Sequence, residues 1–379
     1  MHALLSASGA NRWLNCPPSA RLEENVKEKE SPYAAEGTAA HELAEIQLKK
    51  DLKMITHKAY QDRYKHLNQT GFMDQEMVDF IEDYKTAILE RLNDGTKILL
   101  EERVDFSKYV KEGFGTSDVI LIDDELIEVI DLKYGKGVPV SAENNPQMRL
   151  YALGALEMFE PLYDFKKVKY TIIQPRLDNT SSEELEVDSL KEWGEKQVKP
   201  IADMAFEGKG NFNAGDHCQF CKVKATCKAR ADKNLELAKY DFEDPKLLTL
   251  DQISDILSKA TELKNWVTDI ESYALDQAEN HGVKLPGFKL VEGRSNRKIS
   301  EAVIDTLKKA GYSDDEIFEK KMLGITKLEK LIGKKKLSDL AGDFISKPPG
   351  KPTLVPESDK RPEINSAEKA KQDFKKEEL

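Results

Sequence analysis

The chain has 379 residues, a net charge of −11, 39% hydrophobic and 34% charged residues. That length suits one large domain or two ordinary ones, and the acidic balance argues against a protein that coats nucleic acid over its whole surface, while leaving a local basic groove open. No run of 18 apolar residues occurs, so no membrane span is expected, and Met1 to Ala10 lacks the charged and apolar regions of a signal peptide, so the expected compartment is cytoplasm.

Asn11 to Leu14 reads as a short helix that stops at Cys16-Pro17-Pro18, because proline cannot continue it. Glu36-Gly37-Thr38 leads into a helix from Ala39 to Lys50, with His41 near its start. A second helix spans Asp74 to Leu92, with Met77, Phe80, Ile81, Tyr84 and Ile88 as its core face. Strands follow at Lys97 to Val104, Asp118 to Ile122 and Leu126 to Lys133, then a helix from Glu143 to Phe159 and a strand from Val168 to Gln174. This order predicts an α/β fold, one mixed sheet with helices against it. Asp188 to Lys239 reads as helices around a cysteine cluster, Asp241 to Pro245 as a linker, and Thr249 to Asn280 as a long helix capped by Thr249. Leu285 to Leu290 reads as a short strand or loop, and Ser300 to Ala310 and Thr326 to Ile332 as short helices. The expected organisation is 1–240, 241–345 and a proline-rich, charged, disordered tail over 346–379. Gly293 to Lys298 and Lys334 to Lys336 are basic runs, each an ordinary solvated surface or a phosphate contact.

Phosphodiester hydrolysis requires hard divalent cations held by carboxylates, and a cationic side chain beside the phosphate. Asp118 and Asp131 have twelve residues between them, which suits two strands of a hairpin. Lys133 shares a strand face with Asp131, and Gln147 shares a helix face with Tyr151. Alone, each is an ordinary strand end, turn or helix pair; their order and spacing give them meaning. His41 adds an imidazole suited to Mn²⁺ or Mg²⁺ beside carboxylates. Glu42 and Glu45 read as solvated helix charges.

Cys218, Cys221 and Cys227 form a C-x2-C-x5-C group, and Cys16 stands about 200 residues upstream. Four thiolates suit a [4Fe–4S] cluster or a tetrahedral zinc; spacing does not separate them, and chemistry alone tips slightly to zinc.

The set Gly37-Thr38-x-x-His41, Gly115-x-x-Asp118, Asp131-Leu132-Lys133 and Gln147-x-x-x-Tyr151 resembles the RecB-like branch of the PD-(D/E)xK nucleases, over roughly residues 1–235. That branch includes the nuclease domains of recombination helicase–nucleases and the CRISPR-associated RecB-like exonucleases. The resemblance implies a restriction-endonuclease-like core and Mg²⁺- or Mn²⁺-dependent cleavage of DNA ends or single strands. It makes His41, Asp118, Asp131 and the Leu132 carbonyl metal ligands, and Lys133 the group that orients water and steadies the phosphate. Gln147 and Tyr151 would position the lysine and the DNA backbone. The branch's iron–sulfur subclass has one cysteine before the histidine motif and three after the Gln-x-x-x-Tyr helix, so the resemblance favours a [4Fe–4S] cluster on Cys16, Cys218, Cys221 and Cys227. Residues 347–379 resemble the end of a phage- and prophage-encoded RecB-like family of uncharacterised function, which implies a replication or recombination setting with single-strand-binding, annealing or replication proteins as partners. Competing expectations are a non-catalytic module that binds DNA ends or a replication partner, and a zinc-stapled scaffold with incidental carboxylates.

Overall fold

The structure is a computed structural model describing residues 3–26, 32–236, 248–292, 300–319, 321–346 and 355. The expected linker at 241–245, the basic run at 293–298 and nearly all of the tail lie outside the described residues. The chain divides into two compact units, 1–281 and 282–379. Among the described residues no helix is long and apolar enough to cross a membrane.

The first unit is a mixed α/β body. Short helices α1 (Ala10–Asn15) and α2 (Ser19–Glu23) precede α3 (Pro32–Asp51), α4 (His57–Gln69) and α5 (Gln75–Leu89). Strands β1 (Lys97–Asp105), β2 (Phe114–Ile122) and β3 (Leu126–Leu132) form an antiparallel meander. Helix α6 (Pro146–Phe159) then crosses to β4 (Lys167–Gln174), parallel to β3, and β5 (Asn179–Glu186) closes the sheet antiparallel to β4. The strand order is therefore sequential, β1-β2-β3-β4-β5, with one parallel step where the helical crossover demands it. Helices α7 (Val187–Trp193), α8 (Lys199–Phe206), α9 (Lys228–Leu235) and α10 (Leu250–Asn280) follow.

Two cores lie on opposite faces of the sheet. One packs Ile120, Val129, Tyr170 and Ile172 against α1, α6, α7 and α8. The other packs Val119, Leu121, Ile130 and Leu132 against α3, α4 and α5. The alternation of side chains along each strand is what divides them.

Local chemistry sets the element ends. Asp74 caps α5 by accepting from Met77 N at 2.8 Å. Asn145 caps α6, accepting from Gln147 N and Met148 N, and Pro146 takes the first helical position, where its missing N–H is harmless. The helix expected from Glu143 therefore begins three residues later. Thr249 and Gln252 form a capping box at the head of α10. Helix α3 begins earlier than expected, at Pro32 and not Ala39. The alanines on either side of Gly37 carry the helix through it, and no neighbour lies within 4 Å of where its Cβ would stand. Helix α4 was not expected; Thr56 caps it, and Tyr60, Tyr64 and Leu67 pack on the α3–α5 core. Strand β5 was also not expected.

The second unit carries α11 (Val303–Lys309), α12 (Asp314–Ile317), α13 (Ile325–Ile332) and α14 (Lys334–Ala341). Of these, α12 and α14 were not expected, and Leu285 to Leu290 is a turn segment with no strand.

Candidate metal and hydrolytic centre

The residues that the sequence assembles into one candidate site meet at one end of the sheet. Val119 pairs with Ile130, which sets Asp118 and Asp131 beside each other. Leu132 N donates to Asp118 Oδ2 at 2.7 Å, and His41 Nδ1 on α3 lies 3.1 Å from Asp118 Oδ1. Asp118 is thus fixed through both oxygens.

Lys133 Nζ stands 2.8 Å from Asp131 Oδ2 and donates to Gln147 Oε1 at 3.0 Å. Gln147 Nε2 in turn donates to Asp131 Oδ1 at 3.1 Å and approaches the Tyr151 hydroxyl at 3.4 Å. One amide therefore orients the acid and the amine together, using its acceptor on the lysine and its donor on the carboxylate. Gln147 owes its place to the Asn145 cap, which starts α6 beside the end of β3.

Burial and charge act together on the titrations. Burial alone would lower the His41 imidazole; the charge and hydrogen bond of Asp118 outweigh it and raise His41 to about 9. Burial raises the Asp131 carboxyl, with Lys133 pulling the other way. Burial opposes charge on Lys133, and Asp131 more than compensates, so the ammonium holds its proton more tightly than usual.

A fourth group joins them that the sequence reading did not single out. Glu101, on β1, has a carboxylate oxygen that lies with His41 and Asp118 ligand atoms in a set all within 4.8 Å of one another. Burial, followed by the charge of Asp118, raises Glu101 to about 7. Asp131 stands outside this set, engaged with Lys133 and Gln147. Glu45, expected as a solvated charge, is instead largely covered and paired with Arg63 at 2.6 Å and Lys49 at 2.5 Å.

Gly115 explains one motif through another. A Cβ there would sit 2.5 Å from Tyr151 Cε1. The glycine of Gly115-x-x-Asp118 is therefore what lets the ring of Gln147-x-x-x-Tyr151 lie against β2. Gly115→Ala is expected to push Tyr151 away from Gln147, lowering stability by about 1–3 kcal/mol through overpacking. Thermal melts combined with the Tyr151 environment in NMR check this; an unchanged ring would refute it.

The four cysteines line one cavity with His217, Arg12 and Arg230. Cys16 ends α1, Cys218 lies in a 3₁₀ turn, and Cys227 caps the start of α9. No three of their sulfurs lie within 4.8 Å of one another. Burial, with a smaller contribution from Glu23, pushes the Cys221 thiol up to about 12. His217 is hydrogen-bonded to Cys16, which raises its imidazole. Polar contacts hold the two distant segments together. Arg12 pairs with Glu23 at 2.8 Å and donates to Phe220 O at 3.1 Å, and Lys222 N donates to Glu23 Oε1 at 2.6 Å. Arg230, 1% exposed, ties α9 to α10 through Glu262 and Asp269, both at 2.7 Å.

A solved structure titled "Crystal structure of SSO0001" is similar at 16% identity, covering 58% of this chain and 96% of that one, with a TM-score of 0.24. Residues 2–362 match the family described as "Protein of unknown function (DUF2800)", and the chain belongs to that family.

Proposed function

We propose that the chain is a metal-dependent deoxyribonuclease with a restriction-endonuclease-like core, acting on DNA ends or single strands. The observation that carries this reading is Lys133 Nζ held between Asp131 and Gln147, beside the converging atoms of His41, Glu101 and Asp118. The Lys133 side chain is 28% exposed, so its ammonium can still meet the charge of a phosphate brought to this end of the sheet.

The donor set fits a hard divalent cation such as Mg²⁺ or Mn²⁺, since one imidazole and two carboxylates suit oxygen-preferring ions. His41 and Asp118 would hold it, with Asp131 and the Leu132 carbonyl as the further ligands implied by the family resemblance. The cation supplies positive charge against the phosphate and acidifies the attacking water. Lys133 places its charge where negative charge grows on the phosphate. Gln147 keeps that amine from collapsing onto Asp131 alone, and Tyr151 steadies Gln147.

The four cysteines line one cavity, and the family resemblance is what favours a [4Fe–4S] cluster over zinc there. We assign that cluster a structural role, clasping Cys16 to the segment around Cys218. The setting we infer is phage replication or recombination, with DNA as substrate and single-strand-binding, annealing or replication proteins as partners.

The test is purified protein with Mn²⁺ or Mg²⁺ on end-labelled linear DNA and on closed circles. Linear DNA is expected to be degraded and circles spared. Absence of cleavage on either, with both ions, would refute the nuclease reading; cleaved circles would refute end-dependence.

A further inference from the structure

Two features beside His41 and Asp118 are destabilising in themselves. Glu101 lies inside β1 at φ +54°, a left-handed conformation that a glutamate rarely adopts. The β1–β2 ladder pairs Leu100 with Val119 and Glu102 with Ser117, and passes over Glu101 and Asp118 between them. The strand also changes facing across this point. Ile98 and Leu100 pack with the α3–α5 core, whereas Val104 packs with the core under α6. Tyr84 on α5 is 1% exposed, and its hydroxyl has no hydrogen-bond partner. Native buried hydroxyls nearly always have one.

Both residues line the same cavity as His41 and Asp118, a space of about 10 Å³. That is room for one water, with a cation's place lying among the His41, Glu101 and Asp118 ligand atoms themselves. Glycine at 101 or phenylalanine at 84 would relieve the respective defect, so the defects ask for a reason, and the shared cavity supplies one.

We propose that Glu101 is a protein ligand of the divalent cation alongside His41 and Asp118, and that the Tyr84 hydroxyl hydrogen-bonds a water of that cation's hydration shell. The inference rests on the metal-dependent reading above and adds two residues to it. The displaced backbone at Glu101 is what brings its carboxylate to Asp118 across the interrupted ladder. Tyr84 acts as a positioning residue, holding the shell from the α5 side.

The experiment is Mn²⁺ binding to the full chain by calorimetry and by electron paramagnetic resonance of the free ion, with melting curves in a chelator. Glu101→Gln, nearly isosteric, is expected to weaken Mn²⁺ binding at least tenfold. Tyr84→Phe is expected to weaken it by roughly tenfold, as loss of an outer hydrogen bond to a metal site does. Glu101→Gly is expected to weaken binding while raising the melting temperature of the metal-free chain, because glycine accepts this backbone without strain. Affinities within twofold of wild type in Glu101→Gln and Tyr84→Phe would overturn the inference while leaving the nuclease reading standing. A wild-type chain that binds no Mn²⁺ would overturn the metal-dependent reading itself.

Discussion

Lys133→Ala is expected to reduce DNA cleavage by about 10²–10³-fold, the usual loss when one preorganised charge-stabilising group is removed. The same substitution also disturbs the fold. Asp131 is nearly fully buried, and Lys133 is its close counter-charge at 2.8 Å. Removing one partner of a buried pair typically destabilises by about 3–5 kcal/mol; the lysine is partly exposed, so about 2–3 kcal/mol is expected here. Activity loss in Lys133→Ala alone is therefore ambiguous, and Asp118→Asn resolves it. That change keeps an acceptor for Leu132 N while removing one negative charge from a site that also holds Glu101 and Asp131. Cleavage is expected to vanish while the metal-free chain still melts cooperatively near the wild-type temperature, because relief of the repulsion between Asp118 and Glu101 offsets the lost ion pair with His41. Activity near wild type in both variants would end the assignment of catalysis to this site; a cooperative melt with no activity in Asp118→Asn supports it.

The parts of this centre that rest on regular spacing were legible in the sequence. Asp118, Asp131 and Lys133 depend only on a hairpin register and period-two alternation, and Gln147 with Tyr151 only on a helical turn. Glu101 was not legible because its role depends on a break in that alternation. In Lys97-Ile98-Leu99-Leu100-Glu101-Glu102, two adjacent acids face opposite sides under the regular rule, and nothing local marks which one turns inward. Tyr84 was read as one more member of an apolar helix face, because spacing places a ring but says nothing of whether its hydroxyl finds a partner. Strand β5 escaped for a different reason. Asn179 to Glu186 is almost wholly polar, and its half-buried positions are filled by groups such as Ser181 and Glu183 that bond to neighbouring polar atoms. Gly115 was quoted as part of a motif, yet its reason lay 36 residues away in the ring of Tyr151.

Cys16→Ala carries the second large expected effect, the loss of iron together with a large loss of stability. Cys16 and Cys218 are separated by about 200 residues, so a centre bridging them restricts the unfolded chain far more than a local turn does. A disulfide closing a loop of ~100 residues is worth about 4.7 kcal/mol in the chain-entropy model, and a four-thiolate centre acts by the same restriction. The contacts that survive the substitution, Arg12 with Glu23 and Phe220 O, join the same two segments. They retain part of the junction, since Glu23 is buried, and the proposed cluster would supply the rest. Anaerobic purification is expected to give a brown wild-type protein containing iron, and a colourless Cys16→Ala chain that melts several degrees lower. The high thiol pKa of Cys221, about 12, bears on the same point. An unligated thiol there stays protonated at neutral pH, so in the proposed cluster its conversion to a thiolate would be driven by metal binding. Wild-type protein carrying zinc and no iron would defeat the cluster assignment, and Cys16→Ala with full metal content and an unchanged melt would defeat the clasp.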